Sequence, residues 1–117
     1  MTYYTFPETT LRNFTESIFK KMGCSAEHAQ LAADVLIRSD LRGIDSHGVA
    51  RLNGYVRLWE KKRINTNPNI QIVHETPTTA TVDGDSGLGL VVAPFAMKIA
   101  IEKASTYGSG WVAVRNS

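Results

Sequence analysis

Cysteine is almost absent from these 117 residues: Cys24 stands alone. This excludes an intrachain disulfide and any cysteine-based metal cluster, and it fits a reducing compartment. There is no block of basic residues, and a net charge of +2 is too small to point to nucleic acid. No apolar run approaches the length of a membrane span. The opening Met1-Thr2-Tyr3-Tyr4 has neither the basic start nor the apolar run of a signal peptide, so a cytoplasmic chain without a membrane partner is expected. Repeats and low-complexity segments are absent as well. His28, beside Glu27 in a first helical turn, is expected at the surface. His74 lies among polar strand neighbours with no second nitrogen or sulfur ligand suggested nearby, so no metal site is expected. What remains is an ordinary globular balance, 43% hydrophobic and 21% charged, on a chain long enough for a real core.

The periodicity predicts a first helix over residues 8–22, with Leu11, Phe14, Ile18, Phe19 and Met22 on one side, Pro7 suited to its start and Gly23 to its end. Ser25 fits the N-cap of a second helix reaching about Ser39. Ala29, Ala32, Ala33, Leu36 and Ile37 would give it a small-residue face for close packing. A third helix is predicted from Gly48 to about Lys61, where Val49, Leu52, Val56 and Trp59 recur at helical spacing. Lys61-Lys62-Arg63 would then sit at the negative end of its dipole. The turn-rich Asn65-Thr66-Asn67-Pro68-Asn69 is the expected internal boundary, dividing the chain into 1–66 and 67–117. Two short strands follow, 70–74 and 79–82, separated by Thr76-Pro77. A helix from about Val91 to Tyr107 is expected to bury Ala96, Met97, Ala100, Ile101 and Ala104, with Pro94 tolerable only near its start. A last strand is read over 111–115. The class is mixed α/β.

Between these elements, Asp83-Gly84-Asp85-Ser86-Gly87-Leu88-Gly89 invites a nucleotide reading. Its glycine order reverses the dinucleotide fingerprint, it lacks the Lys-Ser/Thr ending of a phosphate loop, and its carboxylates would face a phosphate. A tight strand-to-helix connection is the preferred reading.

The chemistry concentrates in Asp40-Leu41-Arg42-Gly43-Ile44-Asp45-Ser46-His47-Gly48-Val49-Ala50-Arg51-Leu52 and on to Tyr55. On a helix, His47, Arg51 and Tyr55 would form one polar stripe at its start. Arginine can clamp a carboxylate bidentately, histidine exchanges a proton near neutral pH, and Ser46 can hold the imidazole or share its proton. A proton acceptor one turn from a carboxylate clamp suits the oxidation of a 2-hydroxy acid. On spacing alone, Ser46 fits an N-cap equally well, His47 a surface residue and Arg51 a solvated charge.

The run Arg42-Gly43-Ile44-Asp45-Ser46-His47-Gly48-Val49-Ala50-Arg51-Leu52 with Gly54-Tyr55 closely resembles the signature of the malate/L-lactate dehydrogenase family of NAD(P)-dependent oxidoreductases, which also includes ureidoglycolate and sulfolactate dehydrogenases and imine-reducing members. The resemblance continues through Val82-Asp83-Gly84-Asp85, the helix with Ala96-Met97 and Ala100-Ile101-Glu102-Lys103-Ala104, and Val112-Ala113-Val114-Arg115-Asn116-Ser117. It implies a non-Rossmann nucleotide-binding fold, with an N-terminal helical region followed by the start of a mixed-sheet domain. It also implies a homodimer, NAD or NADP as cofactor, and a small 2-hydroxy or 2-oxo acid such as malate or lactate as substrate. By the same resemblance Ser46 and His47 form the catalytic proton-relay pair, Arg51 binds the substrate carboxylate, and Tyr55 is its neighbour. The family's relay aspartate and most nicotinamide-binding residues would fall beyond Ser117, so no cofactor-binding residue is assigned and the chain is expected to be the N-terminal part of an enzyme. The alternatives are a cyclic imine reductase on the same scaffold and a non-catalytic helical interaction module.

Overall fold

Pro7, at the N-cap, presets the backbone angle ahead of α1 (Glu8–Lys21), and Glu8 in the first turn with Lys20 and Lys21 in the last complement its dipole. The computed structural model describes residues 2–117, and its backbone contacts divide into one unit ending at Lys61 and a second, Lys62–Ser117.

In the first unit, Gly23 turns the chain at φ 105° into α2 (Ala26–Leu41), whose first turn is capped by Ser25 Oγ accepting the His28 N–H at 3.1 Å. Ala29, Ala32 and Ala33 are fully buried and let the two helices approach closely. Phe19, Met22, Leu36 and Ile37 fill the space between them. Thr15 is buried too, its hydroxyl donating to the Leu11 carbonyl at 2.7 Å. Phe14, expected on the packed face, is instead 54% exposed. The buried stripe runs through Thr15, Phe19 and Met22, and Phe14 lies roughly 100° around the helix from Thr15. At the rim, Arg12 bridges Glu8 and Asp34, each at 2.8 Å, and Asp34 also takes Arg38 at 2.7 Å.

The third predicted helix is shorter than expected. α3 spans Leu52–Glu60, preceded by two short 3₁₀ turns, Asp45–His47 and Val49–Arg51. Leu52 is buried and Tyr55, Val56, Leu58 and Trp59 are half-buried.

The second unit begins before the Asn-rich stretch expected to mark the boundary. Asn65 belongs to it, because its side-chain N–H group donates to Asp85 Oδ2 at 3.0 Å and its backbone N–H to the Ser86 carbonyl at 2.9 Å. β1 (Gln71–Glu75) pairs antiparallel with β2 (Thr79–Asp83) through a bulge between Ile72 and His74. After α4 (Gly89–Tyr107), β3 (Trp111–Arg115) returns parallel to β2, giving a mixed sheet in the order β1-β2-β3. Val82, Val92 and Ala96 form its core, with Ile70, Ile99 and Val112 against them.

α4 starts at Gly89, earlier than Pro94 suggested. Pro94 is its sixth residue, and the only ladder bond it removes is the one to the Leu90 carbonyl, in a helix held by sheet packing. Its buried stripe is Val92, Ala96 and Lys103, so Met97 and Ile101, expected inside, are 60% and 61% exposed. Lys103 reaches across to β1, donating to Glu75 Oε1 at 2.8 Å and to the Thr76 carbonyl at 2.7 Å. Gly108, at φ 89°, ends the helix with its N–H on the Ala104 carbonyl.

Candidate active site

The site is a consequence of how α2 ends. Gly43 takes φ 74°, a conformation that glycine adopts without penalty, with its N–H on the Asp40 carbonyl at 3.0 Å. The chain then doubles back, and the Ile44 N–H donates to the Ser39 carbonyl at 2.9 Å. The first 3₁₀ turn carries Ser46 and His47. Gly48, extended at φ −92° and ψ −145°, interrupts it before the second turn begins. That interruption is why no single helix runs from Gly48 and why His47, Arg51 and Tyr55 do not share one helical stripe.

Within this double turn three of the predicted residues meet. Ser46 Oγ and His47 Nδ1 are 2.9 Å apart, and Arg51 Nε donates to the Ser46 carbonyl at 2.6 Å. The N-cap reading of Ser46 does not hold, since its hydroxyl is engaged by the neighbouring imidazole and α3 starts after Arg51 without a side-chain cap. Tyr55 stands apart. Its ring packs on Phe19 of α1 at a centroid distance of 6.4 Å and a 54° tilt, an apolar contact in the helix core.

Two features of the trio bear on chemistry. A hydroxyl both donates and accepts, so Ser46 can pair with Nδ1 whether that atom carries the proton or not. Nε2 of His47 has no hydrogen-bond partner among the described residues, which leaves it available to exchange a proton with a ligand. Arg51 is pinned by Nε alone, which leaves its two terminal nitrogens as a fork for a carboxylate. All three residues are exposed.

The glycine-rich connection has different properties. The Gly84 N–H donates to the Arg115 carbonyl, Asp85 to Asp83 Oδ1, Ser86 to the Asn116 carbonyl and Gly87 to the Gly84 carbonyl. Four successive amides, those of residues 84–87, are thus spent internally, whereas the Leu88, Gly89 and Leu90 N–H groups that open α4 have no partner among the described residues. Asp83 also accepts Arg115 Nε at 2.9 Å and Asn116 Nδ2 at 3.0 Å. The Asp85 N–H above all, then Arg115 and Asn116, hold its carboxyl below the ordinary range.

A profile of malate/L-lactate dehydrogenases matches residues 6–117. The chain belongs to this family. It is 49% identical over 115 residues to a malate dehydrogenase from Pyrococcus abyssi, covering 98% of this chain and 32% of that protein. Among solved structures, malate dehydrogenase from Pyrococcus horikoshii OT3 superposes with a TM-score of 0.94 at 43% identity, over 98% of this chain and 33% of that one. Sulfolactate dehydrogenase from Methanocaldococcus jannaschii gives 0.90 at 42%, over 93% and 32%. The mixed α/β architecture with N-terminal helices and an open mixed sheet is thus the family's own. The chain spans about a third of the length of the curated relatives it matches.

One contributor to this family member's site was not singled out from sequence. Asp40 Oδ2 accepts the Val49 N–H at 2.9 Å, and the only sequence signal for it is a carboxylate in the last turn of a helix, where the dipole disfavours it.

Proposed function

We propose that this chain carries the proton-transfer and carboxylate-binding part of an NAD(P)-dependent dehydrogenase that interconverts a small 2-hydroxy acid, such as malate or lactate, and its 2-oxo acid. The observation that carries this reading is the Ser46–His47 pair at 2.9 Å with Arg51 anchored on the Ser46 carbonyl. Family membership supports it.

In the oxidative direction the substrate carboxylate lies on the terminal nitrogens of Arg51 and the C2 hydroxyl faces His47 Nε2. His47 accepts the hydroxyl proton while Ser46 supports the imidazole in both charge states. The nicotinamide, when bound, supplies the hydride acceptor. The amides of residues 84–87 are bonded within the chain, the Asp83 and Asp85 carboxylates oppose a phosphate there, and no residue of this chain is assigned to hold the dinucleotide. Tyr55, whose ring is engaged with Phe19, is given no part in substrate binding. A homodimer in the cytoplasm completes the proposal.

The test is oxidation of reduced nicotinamide by a panel of 2-oxo acids, in the complete enzyme. His47→Ala is expected to lower kcat by about 10²–10⁴-fold with little change in cofactor affinity. Arg51→Ala should raise the KM for the oxo acid, and Arg51→Lys should not restore it, since an ammonium lacks the planar fork. A His47→Ala enzyme with near-normal turnover would refute the assignment.

A further inference from the structure

Asp40 sits in the last turn of α2, where a negative charge opposes the helix dipole. Its side chain is nevertheless fixed. Oδ2 accepts the Val49 N–H at 2.9 Å across nine residues of chain. The α-carbon of buried Gly48 lies so close that a β-carbon there would overlap the carboxylate. The Asp40 backbone closes the other end of the loop, its carbonyl accepting the Gly43 N–H at 3.0 Å. Asp40 therefore brackets the segment that carries Ser46 and His47, carbonyl at one end and carboxylate at the other. Arg51 hangs from the same frame, through its N–H on the Gly48 carbonyl at 2.9 Å and its Nε on the Ser46 carbonyl. Apart from Arg51, no other side chain among the described residues hydrogen-bonds the backbone of this loop.

We infer that Asp40 is a positioning residue for the reaction proposed above, on which this inference rests: acting through the Val49 amide and Gly48, it fixes the placement of the His47 proton carrier relative to the Arg51 clamp. The acceptor oxygen matters for this role, and the charge does not. Because substrate is held at Arg51 and reacts at His47, a loose frame disturbs binding and turnover together.

The experiment compares Asp40→Asn, Asp40→Glu and Asp40→Ala with His47→Ala in the complete enzyme, using reduced nicotinamide and the best 2-oxo acid of the panel. Asparagine keeps an oxygen where the Val49 N–H needs one, so its kcat and KM are expected within about threefold of wild type and its pH profile unchanged. Glutamate keeps the charge but pushes the carboxylate one methylene further toward Gly48. Both it and alanine should lower kcat about tenfold or more and raise the KM for the oxo acid, with the KM for the nicotinamide unchanged. A purely structural loss would remove active molecules, lowering kcat with KM untouched, and that result overturns the inference. So does a glutamate variant with wild-type kinetics, or an asparagine variant as impaired as glutamate. If alanine does not fold, the asparagine and glutamate pair decides. A fully active His47→Ala sinks the proposed reaction itself, whereas an inactive His47→Ala beside a normal Asp40→Glu sinks only the positioning role.

Discussion

A hydrogen atom on Gly48, where other residues carry a β-carbon, keeps the Ser46–His47 turn in shape. The close approach of the Asp40 carboxylate leaves no room for a β-carbon there. Adding a methyl group must drive that carboxylate off the Val49 N–H, leaving a half-buried bond broken. Gly48→Ala is expected to lower stability by about 1–3 kcal/mol, read as a reduced urea midpoint at unchanged slope. A variant as stable as wild type would mean that the carboxylate moves aside at no cost. At this scale the sequence is informative about which candidate residues come together and silent about what holds them. Ser46, His47 and Arg51 announce themselves by type and spacing. Asp40 acts across nine residues, and neither periodicity nor local propensity registers such a contact.

Among the elements, the same non-local tie explains the main misreading. Val49, Leu52, Val56 and Trp59 have helical spacing, and over the few residues between His47 and Leu52 a 3₁₀ turn and an α-helix differ too little for apolar periodicity to separate them. Exposed apolar side chains account for the others: Phe14, Met97 and Ile101 continue hydrophobic runs whose buried stripes are narrower than the runs themselves. The strand positions and the glycine stop after Tyr107 were legible because each rests on local rules.

The loop after β2 carries a pH consequence. Asp83 is held below the ordinary carboxylate range by the Asp85 N–H first, then by Arg115 and Asn116. Its contribution to stability is therefore fully present above the pKa of the unfolded chain and is lost as pH falls through the lower folded value. Urea midpoints measured on acidification should drop for the wild type. They should drop less for Asp83→Asn, which keeps an acceptor for the Asp85 N–H but cannot ionise. Equal acid sensitivity of the two proteins would show that another carboxylate dominates.

At the scale of the whole chain, the first unit holds the Ser46–His47–Arg51 cluster to which proton transfer and carboxylate binding are proposed, and the second has its own core and a mixed sheet. The expected boundary after residue 66 was placed on turn-forming residues, but Asn65 is drawn into the second unit by Asp85 and Ser86, partners that become visible only once β2 and α4 are in place.

The mixed sheet also dictates an order of assembly. β1 and β2 are joined by Thr76–Thr78 alone, whereas β3 reaches β2 only after the chain from Gly84 to Gly110, most of it α4, has been laid down. Closing the short loop costs far less chain entropy than closing the long one. In refolding followed by pulsed hydrogen exchange, amides shared by β1 and β2 should become protected before those shared by β2 and β3, and simultaneous protection would contradict this. The antiparallel half of the sheet is thus a template formed early, and the parallel half is the step that waits for a helix.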